Sequence, residues 1–437
     1  MGELNKRKRI FVGSCEIAGY YTNLVSGLRA QGYDVTFMGG NNHVFQYGHE
    51  NHKGLMKIHD IASCYVNKTP RKKIFKKTFW LILEKITRLM LIVPSIRNHD
   101  VFIFGFGYSF FGTAHDLWIL KKCRKKIISN LVHGSEIRPP YMDGSIISRA
   151  DFNLSLLKKR TRKTSKKIKT IEKYSDIILS APLISHFLSK PYVSTSFIGV
   201  PVTVPDDVHK DVSPRKNNIN KPVTILHAPS NESVKGSALI RHTIKKLKNQ
   251  GYAINYQEII NKPHSDVIAA LHECDFIIDQ LYSDGPMAGF ATEAAWFCKP
   301  SIVGGYGWDI LKKVTPQDQS PPIYLCHPDE IESAIETMIL DKNLRHDLGK
   351  KAHNFVRNHW NQDIIAQKFS ILIEDAPPEN WCLNPDDTAY PYGVGISESN
   401  CRKIIQNLVK CYGIDSLCLK SNSAALSSIK SFAQITK

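Results

Sequence analysis

The chain is predicted to be an α/β protein made of two doubly wound, Rossmann-like halves that face a cleft, and three observations carry that prediction. Short, dense apolar runs such as Asp100-Val-Phe-Ile-Phe104 and Asp275-Phe-Ile-Ile-Asp279 read as buried strands. Loops of small residues follow them, and then segments with helical spacing, which is the alternation of a parallel sheet. The same grammar restarts after a proline-containing stretch from Gly199 to Pro222, so the order of elements occurs twice. At 437 residues with 42% hydrophobic content, the chain is long enough for two or three ordinary globular cores.

In the first half, Ile10-Phe-Val12 is a strand, Tyr20 to Gln31 a helix ended by Gly32, and Asp34 to Met38 a second strand. The glycines between them do not make G-x-G-x-x-G, so a dinucleotide fingerprint is absent. Arg71 to Val93 sets Phe75, Phe79, Ile82, Leu83, Ile86, Leu89, Met90 and Val93 on one helical stripe, with Lys72, Lys73, Lys76 and Lys77 at its start. Glu84, Lys85 and Arg88 interrupt it, so it does not cross a bilayer. It reads equally as a basic interfacial helix on anionic lipid or as a helix burying its stripe in the core. The strand Asp100 to Phe104 and a helix through Leu120 follow. A further strand from Lys126 to Val132 delivers His133-Gly-Ser-Glu-Ile-Arg138 to its carboxyl end, where α/β proteins place their chemistry. A basic helix (Lys158 to Tyr174), a strand (Ser175 to Ser180), a short helix (Pro182 to Leu188) and a strand (Thr195 to Ile198) complete the half.

The second half contains a strand Val223 to Ala228, a loop Pro229 to Gly236, a helix through Leu247, a strand Ala253 to Ile260 and a helix His264 to Glu273. A strand Phe276 to Leu281 then opens a small-residue loop, a helix Phe290 to Phe297 carries Glu293, and a strand follows from Ser301 to Val303. A helix N-terminus at a strand end offers free N–H groups to an anion, so a phosphate-bearing ligand is expected there. The bland alternatives are that Glu293 only complements the helix dipole, that Lys235 only faces solvent, and that Asp279 only pairs locally.

The net charge of +18 is concentrated: Thr69 to Met90 holds seven Lys/Arg against one Glu, and Lys158 to Lys173 nine against one. Such patches attract polyanions or an acidic membrane surface, unless they are merely solvated faces. No nucleic-acid reading motif accompanies them, so a nucleic-acid partner is not expected. Ten cysteines without any C-x-x-C, and a start lacking a secretory apolar run, suggest reduced thiols in a cytoplasmic protein and no metal site.

Three pieces in order, His133-Gly-Ser-Glu-Ile-Arg138, His227-Ala-Pro-Ser-Asn231 with Lys235-Gly236, and Gly289-Phe-Ala-Thr-Glu-Ala-Ala295 ending in Lys299-Pro300, resemble the GT-B retaining glycosyltransferases, the family 4-like capsular and lipopolysaccharide sugar transferases. The resemblance covers roughly residues 8 to 375 as an order of elements. It implies an acceptor domain at 1–198, a linker at 199–222, a nucleotide-sugar domain at 223–360 and a returning helix at 361–375, and leaves 376–437 as an extension of unread role. It further implies a catalytic loop with His133 and Glu136, and donor contacts from Ser230, Asn231, Lys235, Asp279, Asp284, Gly285, Gly289, Phe290 and Glu293. In that pattern the His lies by the donor sugar, the Lys contacts the diphosphate and Glu293 holds the ribose. Lys72, Lys73, Lys76, Lys77 and Arg138 are assigned to the acceptor or membrane side. The activity implied is transfer from a nucleoside diphosphate sugar, without cofactor or metal, to a lipid-linked or polysaccharide acceptor on the inner face of a membrane. The sequence departs from the pattern where a second Glu is usual: Gly285 stands eight positions before Glu293, with Asp284 beside it, and Ser230 stands near the place of the usual Arg. Those departures motivate a rival, a non-catalytic sugar-nucleotide binding subunit.

Overall fold

Strand β1 (Ile10–Gly13) is buried along its whole length, because the sheet it joins is covered on both faces. The computed structural model describes residues 7–39, 52–70, 73–202 and 221–435. In its first half β1, β2 (Val35–Met38), β3 (Val101–Gly105), β4 (Lys126–Leu131), β5 (Ile177–Ser180) and β6 (Tyr192–Ser194) make a parallel sheet in the order β6-β5-β4-β3-β1-β2. Ile10 pairs with Val35 on one side and Val101 on the other, so strand order reverses between β1 and β3. Around the sheet lie α1 (Tyr20–Ala30), α2 (Gly54–Lys68), α3 (Ile74–Asn98), α4 (Leu117–Lys122), α5 (Gly144–Ile147), α6 (Leu154–Tyr174) and α7 (Thr195–Ile198).

The segment Thr195 to Ile198, expected as a strand, is the helix α7, and the strand lies just before it. Ser194 explains the shift: its Oγ accepts from Ser196 N at 3.2 Å and starts a helical turn, which Gly199 ends at φ 90°.

The second half is a smaller parallel sheet of β7 (Val223–His227), β8 (Ile254–Glu258), β9 (Phe276–Ser283), β10 (Ser301–Gly305) and β11 (Tyr324–Cys326), ordered β11-β10-β9-β7-β8. Its helices are α8 (Glu232–Lys235), α9 (Ser237–Asn249), α10 (His264–Glu273), α11 (Gly289–Trp296), α12 (Trp308–Val314), α13 (Ile331–Leu340) and α14 (Lys342–His359). Here the order reverses between β7 and β9, and in open α/β sheets such a reversal opens a crevice at the strand ends. The two sheets present these ends to one another across a cleft, the GT-B architecture.

Helix α15 (Gln362–Glu374) crosses back onto α1, where Ser370 Oγ donates to Gln31 Oε1 at 2.5 Å. Its C-terminal carbonyls, which have no partners within the helix, are taken by two lysines of the first half. Lys8 Nζ reaches Ile373 O at 2.9 Å, and Lys126 Nζ reaches Asp375 O at 2.7 Å.

The remaining chain adds β12 (Cys382–Leu383) antiparallel to the β6 edge, and then α16 (Glu398–Tyr412) and α17 (Ser423–Phe432). Cys401, Ile405, Leu408, Leu417 and Ile429 join one hydrophobic core with Phe102, Leu131, Tyr141 and Ile168, so the extension is built into the first half. Between β12 and α16 the chain passes through the cleft wall. Val394 N donates to Met142 O (2.9 Å) and Gly144 N to Val394 O (2.8 Å), while Gly395 N donates to Tyr282 O in the second half (2.9 Å).

Candidate functional site

The cleft has a volume of about 770 Å³ and is walled by loops from the carboxyl ends of both sheets. On the C-terminal side β7 ends in His227, which is fully buried. One ring nitrogen lies 2.7 Å from Ile278 O and the other 2.7 Å from Ser237 Oγ, and burial pushes the ring down to about 4. This histidine therefore fastens the strand and stays neutral. Beyond it Asn231 caps α8, its Oδ1 accepting from Ser233 N at 3.1 Å, and α8 turns Lys235 toward the cleft. Lys235 Nζ already holds Asp279 Oδ1 at 2.7 Å.

From β9 the chain turns through Ser283 to Gly289. Ser283 Oγ bonds Gly285 O at 2.7 Å and shapes the turn. Helix α11 then begins at Gly289 without any side-chain cap, and a Cβ at Gly285 or at Gly289 would meet nothing within 4 Å. First-turn N–H groups without an intrahelical acceptor thus border open space, beside an ammonium. Glu293 lies one turn further, its Oε1 at 2.8 Å from His264 Nε2 at the start of α10, and both residues line the cleft.

The opposite wall is the loop after β4. Glu136 Oε1 accepts from His133 N at 2.8 Å, so this carboxyl holds the loop's backbone and does not contact the imidazole by that bond. His133 Nε2 lies 3.3 Å from Tyr21 Oη, and burial pushes the ring down to about 4, so at neutral pH it is uncharged. Burial also pushes Glu136 up, to about 7. Gly134, at φ 101°, passes directly over Arg138, whose Nη2 would stand 2.3 Å from a Cβ there. A side chain at 134 is excluded twice, by backbone conformation and by space.

Arg138, expected on the acceptor or membrane side, is buried on the N-terminal wall of the cleft, where the two halves meet. It reaches Asp143 at 3.1 Å within its own half, and Asp284 of the β9–α11 loop, with Nε to Oδ2 at 2.9 Å. Asp284, expected as a donor contact, lines the cleft but is engaged by this guanidinium. Asp279, also expected as a donor contact, is 2% exposed, is not among the residues that line the cleft, and reaches it through its pair with Lys235.

No family model matches this chain, and no curated protein matches it by sequence. Solved structures resemble it in fold. The catalytic domain of starch synthase IV from Arabidopsis thaliana, bound to ADP and acarbose, aligns with 84% of this chain and 98% of its own at 11% identity and a TM-score of 0.49. Anabaena Alr3699/HepE in complex with UDP aligns with 84% and 99% at 12% identity and a TM-score of 0.46. A candidate UDP-N-acetylglucosamine 2-epimerase from Listeria monocytogenes aligns with 85% and 96% at 11% identity and a TM-score of 0.41. Likeness at this level concerns architecture, and it does not choose between transfer and epimerisation.

The structure brings Ser230, Asn231, Lys235, Asp284, Gly285, Gly289, Phe290 and Glu293 to one side of the cleft, and His133 and Arg138 to the other. Glu136 sits behind His133. Lys73, Lys76 and Lys77 stand at the start of α3 and do not line the cleft, and Lys72 lies outside the described residues. Sequence reasoning missed His264. Its position at the end of the loop after β8, on the same sheet edge as Lys235 and Glu293, was the available signal.

Proposed function

We propose that the chain is a glycosyltransferase that moves a sugar from a nucleoside diphosphate donor, held by the C-terminal half, to a lipid-linked or polysaccharide acceptor held by the N-terminal half. The observation that supports it most is the uncapped start of α11, which opens on the cleft beside Lys235 with Glu293 one turn away. In this reading the diphosphate sits on the α11 N–H groups and Lys235, where negative charge grows as the sugar departs. The ribose hydroxyls donate to Glu293, since one carboxylate can accept from both. Neutral His133 faces the donor sugar from the other wall. The positive charge needed comes from the helix and the lysine, without a metal. If transfer proceeds with retention, the departing phosphate takes the acceptor proton on the same face.

The α2–α3 hairpin supports a membrane location for the acceptor. The stripe of α3 is turned outward, with Phe75 94% and Phe79 59% exposed, and Ile58, Ile61 and Tyr65 of α2 are exposed with it. Lys73 and Lys76 are exposed at the start of α3, so apolar and cationic surfaces adjoin, as an anionic lipid surface requires. Among the described residues no helix is long and apolar enough to cross a membrane.

One observation favours the rival, a sugar-nucleotide binding subunit without catalysis: Arg138 and Lys235 are both already paired with carboxylates. Incubation of the purified chain with radiolabelled nucleotide sugars and membranes decides between them. Label transferred to the membrane fraction supports the transferase. Binding without transfer favours the subunit, conversion of the donor sugar alone points to epimerisation, and no binding at all rejects the donor site.

A further inference from the structure

Parallel strands bring the loops that follow them out on one edge, so the second sheet presents His264, Lys235, Asp284 and Tyr306 in the order of β8, β7, β9 and β10. A nucleoside diphosphate held as proposed, with its ribose on Glu293 beside His264 and its phosphates at Lys235 and the start of α11, therefore has its sugar toward Asp284 and the β10 side. The C-terminal extension comes in at that end. In the strap from Tyr390 to Ile396, Tyr392 stacks on Tyr306 with ring centres 5.0 Å apart, and Gly395 N donates to Tyr282 O of β9 at 2.9 Å.

Between those two contacts Val394 lines the cleft, alone among the described residues of the extension. Its main chain is tied on both sides, because Val394 N donates to Met142 O and Val394 O accepts from Gly144 N, in a bridge that sets the residue beside Asp143. The half-buried isopropyl group is thus what the extension offers to a ligand. The charges around it are already paired. Among the described residues, each Lys or Arg that lines the cleft has a carboxylate partner: Arg138 has Asp143 and Asp284, Lys235 has Asp279, and Lys312 has Asp309 at 3.8 Å. At the sugar end one guanidinium meets two carboxylates, while the diphosphate takes Lys235 and the helix N–H groups. A carboxylate on the sugar would find no free cation there and would face two groups of its own sign.

We propose that the C-terminal extension completes the donor pocket, with Val394 as the wall that limits the size of the sugar, and that this pocket takes an uncharged sugar and refuses a uronate. The inference rests on the nucleotide-sugar reading and narrows it: substrate choice is assigned to a segment outside both sheets.

The test is calorimetric titration of the full chain with UDP, GDP and ADP, with their uncharged hexose conjugates, and with the hexuronate conjugate of the same base. The wild type is expected to hold a hexose conjugate at least about tenfold more tightly than the uronate, the scale of a like-charge penalty in a partly dry site. Val394→Phe should lower the affinity for that hexose conjugate, relative to the free diphosphate, by about tenfold or more, the range for crowding a close-packed pocket. Val394→Leu should give a smaller loss in the same direction. Both substitutions keep the two backbone bonds of residue 394, so an unchanged Tm separates a blocked pocket from a displaced strap. The same ratio of hexose conjugate to diphosphate affinity in wild type and both variants would overturn the proposal, as would a uronate bound as tightly as the hexose or a diphosphate bound without either conjugate. A wild type that binds no nucleotide in any form rejects the donor site itself, and the proposal falls with it.

Discussion

Glu293 keeps its Oε1 on His264 Nε2 at 2.8 Å, so a ribose hydroxyl at this carboxylate has to share it with an imidazole. Glu293→Ala is expected to weaken nucleotide binding by about 1–3 kcal/mol, the range for a lost charge-assisted hydrogen bond. Calorimetry that returns an unchanged affinity removes Glu293 from the site. The hydrogen bond to Glu293 also raises the histidine above its ordinary 6.5. A raised folded value means that protonated His264 stabilises the fold fully below about pH 6.5, and that the contribution fades as pH rises through the folded value. The Tm difference between wild type and His264→Ala should therefore be widest below about pH 6.5 and narrow as pH is raised beyond that; a difference constant with pH would show that the contact carries no charge. Of these two partners only Glu293 was legible in the sequence, because it stands in a recurring pattern, whereas His264 acquires its meaning from a residue 29 positions away.

At the scale of elements, α3 shows what periodicity can and cannot decide. Spacing predicted an amphipathic helix but not which face meets the core. The protein buries the narrow polar-edged face, Thr87, Leu91, Ile92 and Ser95, because α2 supplies partners there: His59 Nδ1 lies 3.1 Å from Thr87 Oγ1, and Tyr65 stacks on Trp80 at 4.4 Å. The broad apolar face is left outward. Neutralising Lys73, Lys76 and Lys77 should cut binding to anionic liposomes by about 1 kcal/mol per charge. Phe75→Ala with Phe79→Ala should weaken it further while leaving Tm unchanged, since these rings are mostly exposed. Sedimentation with liposomes that is the same for all variants would exclude lipid as what covers this face. Strands such as β3 and β9 were legible because a continuous apolar run buried on both faces has few other solutions. Thr195 to Ile198 misled because one capping serine outweighed the propensity of the run.

At the scale of the whole molecule, the least legible feature is what joins the halves. Arg138 meets Asp284 across 146 positions, and the strap from Tyr390 to Ile396 comes from an extension with no readable pattern. Interfaces between domains of one chain ordinarily permit relative motion. Here opening of the cleft has to break the bond from Gly395 N to Tyr282 O, the stacking of Tyr392 on Tyr306 at 5.0 Å and the buried charge pair, so the strap should restrain the halves in their present arrangement. Gly395 is where this restraint is most vulnerable. Its φ of +64° suits glycine, and a Cβ there would stand 2.5 Å from Val234 Cγ1 on α8. Gly395→Val is therefore expected to push the strap off the C-terminal half while leaving its anchorage at Met142 and Gly144 in place. Small-angle scattering should then give a larger radius of gyration than wild type, and the amide at position 395 should lose its protection while that of β4, deep in the N-terminal sheet, stays slow. If both measurements match the wild type, the strap follows the two halves without holding them, and the arrangement rests on Arg138 and its two carboxylates.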